Sequence, residues 1–119
     1  MRMLVMGAGA LGSVGGGLMA KAGHAVTLVG RAAHMDAIAR GGLRITGIWG
    51  QHHVTGIATR TDASGLRAGE FDVIIISVKS YDTRAAAETI APLLDDDTLV
   101  LSYQNGLGNA EIVAEYVGW

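Results

Sequence analysis

Short apolar runs separated by glycine, and apolar residues spaced three or four apart, alternate along this chain. Met3 to Met6 is too short for a helix and stops at Gly7, whereas Leu11, Val14 and Leu18 recur at helical spacing, so the amino-terminal segment reads as strand, tight turn and helix. Ala25 to Val29 follows as a second buried strand. His34 to Arg40 has helical character and is stopped by Gly41-Gly42. Leu43 to Ile48 and His53 to Ala58, separated by a loop containing Gly50, read as a two-stranded hairpin. Asp72 to Val78 contains the unbroken run Val73-Ile74-Ile75-Ile76, the character of a strand covered on both faces. Asp82 is placed to cap a helix through Ile90, which Pro92 should kink or end. Thr98 to Leu101 reads as another central strand, and Asn109 can cap a last helix through Val117. Strands alternating with helices require right-handed crossovers, so the expected class is α/β, a Rossmann-type doubly wound and mostly parallel sheet.

Composition narrows what such a domain can do. The 119 residues are 50% hydrophobic and 17% charged, so apolar burial can offset chain entropy and the chain should be globular. Nine Lys plus Arg against eleven Asp plus Glu give a net charge of -2, without the basic excess that nucleic-acid binding needs. There is no cysteine, which excludes disulfides and thiolate zinc sites and points to a reducing compartment. Met1 to Ala22 superficially imitates a secretory signal with Ala20-Lys21-Ala22 as its cleavage triplet, but the glycines would weaken a signal helix and a lysine inside the triplet is unusual. No other stretch is apolar enough to suggest a membrane span.

Eighteen glycines against one proline is the outstanding feature, and it implies close backbone approach. Gly7-Ala8-Gly9-Ala10-Leu11-Gly12 matches G-x-G-x-x-G, although roughly 0.4 matches would arise by chance in so glycine-rich a chain. Context separates this match from a second variant at Gly15, Gly17 and Ala20: only the first follows a strand and opens a helix. There Gly7 permits the tight turn, Gly9 admits a pyrophosphate to the backbone, and Gly12 lets helix and strand pack closely. The phosphates would lie on unpaired N–H groups at the positive end of the helix dipole. Gly15, Gly16 and Gly17 each cost the helix about 1 kcal/mol relative to alanine and are read as close packing.

The residue ending the second strand tests the cofactor. An acidic side chain there would hold the ribose 2'-hydroxyl of NAD, but Val29-Gly30-Arg31 offers an arginine, which can clamp a 2'-phosphate. NADP(H) is therefore favoured over NAD(H), the alternative being a solvated surface arginine. Lys79, in Ser77-Val78-Lys79-Ser80, ends the most hydrophobic strand as a donor to ribose or phosphate, or as solvated surface. Asn105, in Tyr103-Gln104-Asn105-Gly106-Leu107-Gly108-Asn109, can offer an amide to nicotinamide, ribose or substrate, or form a plain Asn-Gly turn. His52-His53 beside Trp49 point in different directions from a strand and argue against a metal site. His24 reads as ending the first helix and Asp95-Asp96-Asp97 as a solvated loop. No nucleophile with a base, and no carboxylate pair, stands out.

Taken together, Gly7-Ala8-Gly9-Ala10-Leu11-Gly12, Val29-Gly30-Arg31, Ser77-Val78-Lys79-Ser80 and Gln104-Asn105-Gly106-Leu107-Gly108 resemble the ketopantoate reductase (2-dehydropantoate 2-reductase) family in order and spacing along the whole chain. The resemblance implies a cytoplasmic NADPH-dependent enzyme of pantothenate, and hence coenzyme A, biosynthesis that reduces the 2-keto group of ketopantoate to give pantoate. It implies further that Arg31 meets the 2'-phosphate, that Lys79 lies at the cofactor, and that Asn105 lies where cofactor and substrate meet. Members of the family continue into an all-helical domain that supplies a lysine acting as general acid and a glutamate that helps bind substrate. On this expectation residues 1–119 are the incomplete NADP(H)-binding Rossmann domain, with no catalytic residue of their own, a small keto acid as partner, no nucleic-acid or membrane partner, and a homodimer as a possibility. Other readings stay open: another NADP-dependent 2-keto acid or opine-type dehydrogenase, or a nucleotide-binding regulatory module that does no chemistry.

Overall fold

The computed structural model describes residues 1–7, 10–45, 50–77 and 83–102. Five strands form one parallel sheet, β1 (Arg2–Met6), β2 (Ala25–Val29), β5 (Ala58–Arg60), β6 (Val73–Ile76) and β7 (Leu99–Ser102), in the spatial order β5-β2-β1-β6-β7. Helix α1 (Ala10–Lys21) joins β1 to β2, α2 (Ala32–Gly41) leaves β2, and α3 (Thr83–Ile90) joins β6 to β7 through a 3-10 turn at Ala91–Leu93. A separate antiparallel pair, β3 (Leu43–Ile45) and β4 (His52–Val54), lies between α2 and β5.

The continuous apolar runs of β1 and β6 are buried on both faces because alternate residues feed two different cores. Met3, Val5, Val73 and Ile75 join Val26, Leu28, Met35 and Ile38, with the hairpin residues Leu43, Ile45 and Val54 closing the layer. Leu4, Met6, Ile74 and Ile76 face the other way, against Phe71, Ala86, Ile90 and Leu93. The stretch that imitates a signal peptide thus forms the middle strand of the sheet and the helix laid on it.

One expectation needs correction. His53 to Ala58 is not one strand: the hairpin partner ends at Val54, Gly56 takes a φ of 78°, and Ala58–Arg60 turns away to pair in parallel with Thr27, Leu28 and Val29 of β2. The split occurs because a hairpin on one layer and a strand in the main sheet cannot share one straight segment. Thr98 to Leu101, read as a strand, forms β7 in parallel with β6, and among the described residues it is the last strand on that side, with Leu99 55% and Leu101 37% exposed. Helix α2 also starts two residues earlier than its apolar pattern suggests and stops at Gly42, whose φ of 77° brings its N–H to the Ile38 carbonyl at 2.8 Å. Pro92 ends α3 as expected, seated in the 3-10 turn. The Asp82 cap and the Asn109 helix lie outside the described residues.

At the amino-terminal edge of the sheet, the Arg2 guanidinium meets Asp72 Oδ1 at 3.2 Å while the Arg2 backbone N–H donates to Asp72 Oδ2 at 2.8 Å. These contacts hold the Asp72 carboxyl below the usual carboxylate range, the Arg2 side-chain bond contributing most. Asp95 is lowered in the same direction by the Thr98 hydroxyl and then the Asp97 N–H. A carboxyl whose pKa is depressed by folding adds stability that is present above its unfolded value and lost as pH falls through the folded one. Thermal melts between pH 6 and pH 2.5 should therefore show stability falling below about pH 4, and Asp72→Asn should flatten part of that fall. An unchanged slope in the variant would remove Asp72 from the acid response.

Candidate functional site

In an open parallel sheet the ligand crevice lies beyond the carboxyl ends of the strands, where the chain reverses its direction of travel across the sheet. Here that point falls between β1, which leads outward to β2 and β5, and β6, which leads outward to β7. Each strand end is tied to its neighbour one residue on. The Gly7 N–H donates to the Val29 carbonyl at 2.9 Å, the Ser77 N–H to Met6 at 2.8 Å, and the Gly30 N–H to Arg60 at 3.0 Å. These bonds fix where β1, β2 and β6 stop and so where the crevice floor lies.

Gly7 has a φ of 84°, a conformation that side chains disfavour, and from it the chain climbs into α1. The helix then lies very close to the sheet. A Cβ on Gly12 would meet Ser77 Oγ at 3.0 Å and Val5 Cγ1 at 3.2 Å, and one on Gly16 would meet Leu28 Cδ2 at 2.7 Å. On Gly17 it would run into Leu43 and Ile45, so the hairpin docks against the same bare helix face. The packing role expected of Gly12, Gly16 and Gly17 is what these distances describe. No acidic residue occupies the first turn of α1 or of α2, so the positive ends of both helices are left uncompensated by their own side chains.

Arg31 follows β2 as the N-cap residue of α2, in extended conformation (φ -67°, ψ 145°), and its side chain makes no capping hydrogen bond. It is exposed, and among the described residues the ion pair of Arg2 with Asp72 does not involve it. Next to it, Met35, Asp36, Thr59, Arg60, Thr61 and Asp62 line an open depression of about 330 Å³ between α2 and the end of β5. Ala10 and Leu11 begin α1, whereas Ala8, Gly9, Lys79 and Asn105 lie outside the described residues. The structure thus brings Gly7, Gly12 and Arg31 to the carboxyl edge of adjacent strands.

One contact at this edge has no sequence signal. Ser13, which follows Gly12 and is 2% exposed, meets the His34 Nε2 at 2.9 Å, joining the first turns of α1 and α2. The hairpin histidines are structural: His53 donates its Nε2–H to the Gly41 carbonyl, and the Lys21 ammonium donates to His52 Nδ1. His24 lies beyond the end of α1 and accepts from the amino terminus at 2.8 Å. Among the described residues no three metal-ligating side chains gather, and no helix is long and apolar enough to cross a membrane.

A family model described as ketopantoate reductase PanE/ApbA matches residues 3–118. The 2-dehydropantoate 2-reductase of Pyrococcus horikoshii is 40% identical over 119 residues, 99% of this chain and 37% of the relative. That of Halobacterium salinarum is 41% identical over 118 residues, 98% of this chain and 38% of the relative. Among solved structures, a PanE/ApbA family ketopantoate reductase from Ralstonia eutropha superposes with a TM-score of 0.85 at 39% identity, covering 97% of this chain and 38% of that one. A D-mandelate dehydrogenase solved with NADH and anilino(oxo)acetate gives a TM-score of 0.79 at 28% identity, covering 98% and 38%. The chain therefore spans less than two fifths of the length of these relatives.

The bare face of α1 makes a paired prediction. Gly16→Ala should gain about 1 kcal/mol of helix propensity but lose more by overpacking against Leu28, which is fully buried, for a net destabilisation of about 1 to 2 kcal/mol. Gly41→Ala, at the end of α2 with nothing within 4 Å of the added Cβ, should instead stabilise by about 0.5 to 1 kcal/mol. Denaturant unfolding of the two variants measures both, and equal effects would mean that α1 is not held by contact at Gly16.

Proposed function

The chain belongs to the ketopantoate reductase PanE/ApbA family, and from that premise we propose that it forms the cofactor-binding part of an NADPH-dependent 2-dehydropantoate 2-reductase, which reduces the 2-keto group of ketopantoate to give pantoate. The substrate is taken from the names of the relatives. The cofactor rests on one observation, the exposed arginine at the end of β2 where an acidic residue would read a 2'-hydroxyl. Residues 1–119 act on this reading as the NADP(H)-binding domain. The reading includes a cytoplasmic location, in keeping with a sequence that has no cysteine to oxidise.

The residues present fit such a cofactor. With Ala8 and Gly9 between the positive-φ Gly7 and the helix in sequence, a pyrophosphate can be received by the backbone N–H groups opening α1 at Ala10, Leu11 and Gly12. Arg31 donates charge-assisted hydrogen bonds that a 2'-hydroxyl cannot match. Lys79 adds a donor to ribose or phosphate, and the Asn105 amide orients nicotinamide and substrate toward each other. When bound, NADPH supplies the hydride for the ketone carbon. The part assigned to these residues is to bind, select and orient.

One observation favours a second reading, a reductase of a different 2-keto acid: the D-mandelate dehydrogenase solved with NADH shares this fold at 28% identity. Cofactor choice separates the two. Fluorescence titration should give tighter binding of NADPH than of NADH, and Arg31→Ala should weaken NADPH by about 1.5 to 3 kcal/mol while changing NADH little. Equal affinities in the unmodified chain would sink the assignment of Arg31. For the substrate, this chain joined to the remaining portion of the Pyrococcus horikoshii relative should consume NADPH with 2-dehydropantoate, and turnover only with aryl 2-keto acids would favour the second reading.

A further inference from the structure

We propose that the hydrogen bond between Ser13 and His34 fixes the first turn of α2 against α1 and so holds Arg31 at its ribose-reading height, which makes both residues positioning residues for cofactor choice. The inference rests on the reading of Arg31 given above. Ser13 is an anchored point, since Gly12 immediately before it and Gly16 one turn on press the helix backbone onto Val5, Leu28 and Ser77. By contrast the first residues of α2, Ala32, Ala33 and His34, are exposed. Met35 and Ile38 are its buried residues, its N-cap side chain makes no capping bond, and its first turn carries no acidic residue. It lies mainly over β5, whereas α1 lies mainly over β2.

His34 is three residues beyond Arg31, hence on the same turn, and the Met35 N–H closes that turn on the Arg31 carbonyl at 2.9 Å. A tie at His34 therefore sets the position of the Arg31 backbone. The bond found here reaches 21 residues along the chain, to a different helix. Charge-assisted hydrogen bonds from a guanidinium depend steeply on geometry, and NADPH differs from NADH only in the 2'-phosphate, so loosening this turn costs one cofactor and spares the other.

Four variants test the clamp by binding and by amide exchange. Ser13→Ala and His34→Leu should each reduce NADPH affinity about three- to tenfold and leave NADH within twofold, and the double variant should be no worse than either single one. His34→Gln, whose amide nitrogen can occupy the place of Nε2, should keep most of the discrimination. In the cofactor-free chain, exchange of the Met35 amide should quicken severalfold in Ser13→Ala. Equal weakening of both cofactors, an unchanged NADPH preference in Ser13→Ala while Arg31→Ala erases it, or unaltered Met35 exchange would each overturn the clamp and leave Arg31 standing. A preference untouched by Arg31→Ala would overturn both.

Discussion

Everything at the carboxyl edge of this sheet depends on how closely one helix approaches it. Gly12, Gly16 and Gly17 remove the side chains that would otherwise hold α1 away from Val5, Leu28, Ser77 and the hairpin. Each glycine sacrifices about 1 kcal/mol of helix propensity, and the approach returns contact with some of the most deeply buried side chains, Val5 and Leu28. The helix begins at Ala10, only a few residues after β1 ends at Met6, and Gly12 in its first turn already lies within contact of Val5 and Ser77.

The two ends of the sheet are treated in opposite ways. At the amino end, charge is matched: Arg2 and Asp72 join β1 to β6 through both side chains and backbone, the Asp72 N–H donating to the Arg2 carbonyl at 2.8 Å. At the carboxyl end the backbone bonds from Gly7, Gly30 and Ser77 lock the strand termini in register without using side-chain charge. Among the described residues the first end is thus tied by a matched ion pair, and the ends of β1, β2 and β6 on the other side by backbone bonds.

Much of this was legible in the sequence, and the exceptions have physical causes. β1, β2 and β6 declare themselves because strands buried on both faces must be apolar throughout, and the glycine turn declares itself because only a strand before it and a helix after it give it meaning. The β4 to β5 division is hidden because His53 to Ala58 has no proline or charge to mark it, and only the 78° φ of Gly56 separates the two directions. β7 reads as a central strand because Leu99, Val100 and Leu101 are apolar without a break, Val100 facing the core and the two leucines the other side. The Ser13–His34 contact could not be read at all. It depends on the relative placement of two helices, which no local pattern encodes.

Arg31 and Arg60 show why a residue type at a strand end is not yet a site. Arg60 is the last residue of β5 and Arg31 follows the end of β2 by two residues, and Val29 pairs directly with Arg60. Arg60 turns its guanidinium into its own loop, donating from Nε to the Asp62 carbonyl at 3.2 Å and from a terminal nitrogen to the Ser64 carbonyl. The Asp62 carboxylate in turn accepts the Ser64 N–H at 3.0 Å, so the segment after β5 is folded around that arginine. Arg31 has no loop of this kind to hold, because the chain after it enters α2 at once and the backbone of the first turn is satisfied through Met35. Among the described residues the Arg31 side chain makes no capping hydrogen bond and is exposed, so of the pair only Arg60 is seen to build its own surroundings. A loop after Arg60 consumes its guanidinium, whereas a helix follows Arg31 and presents no such loop to fold around.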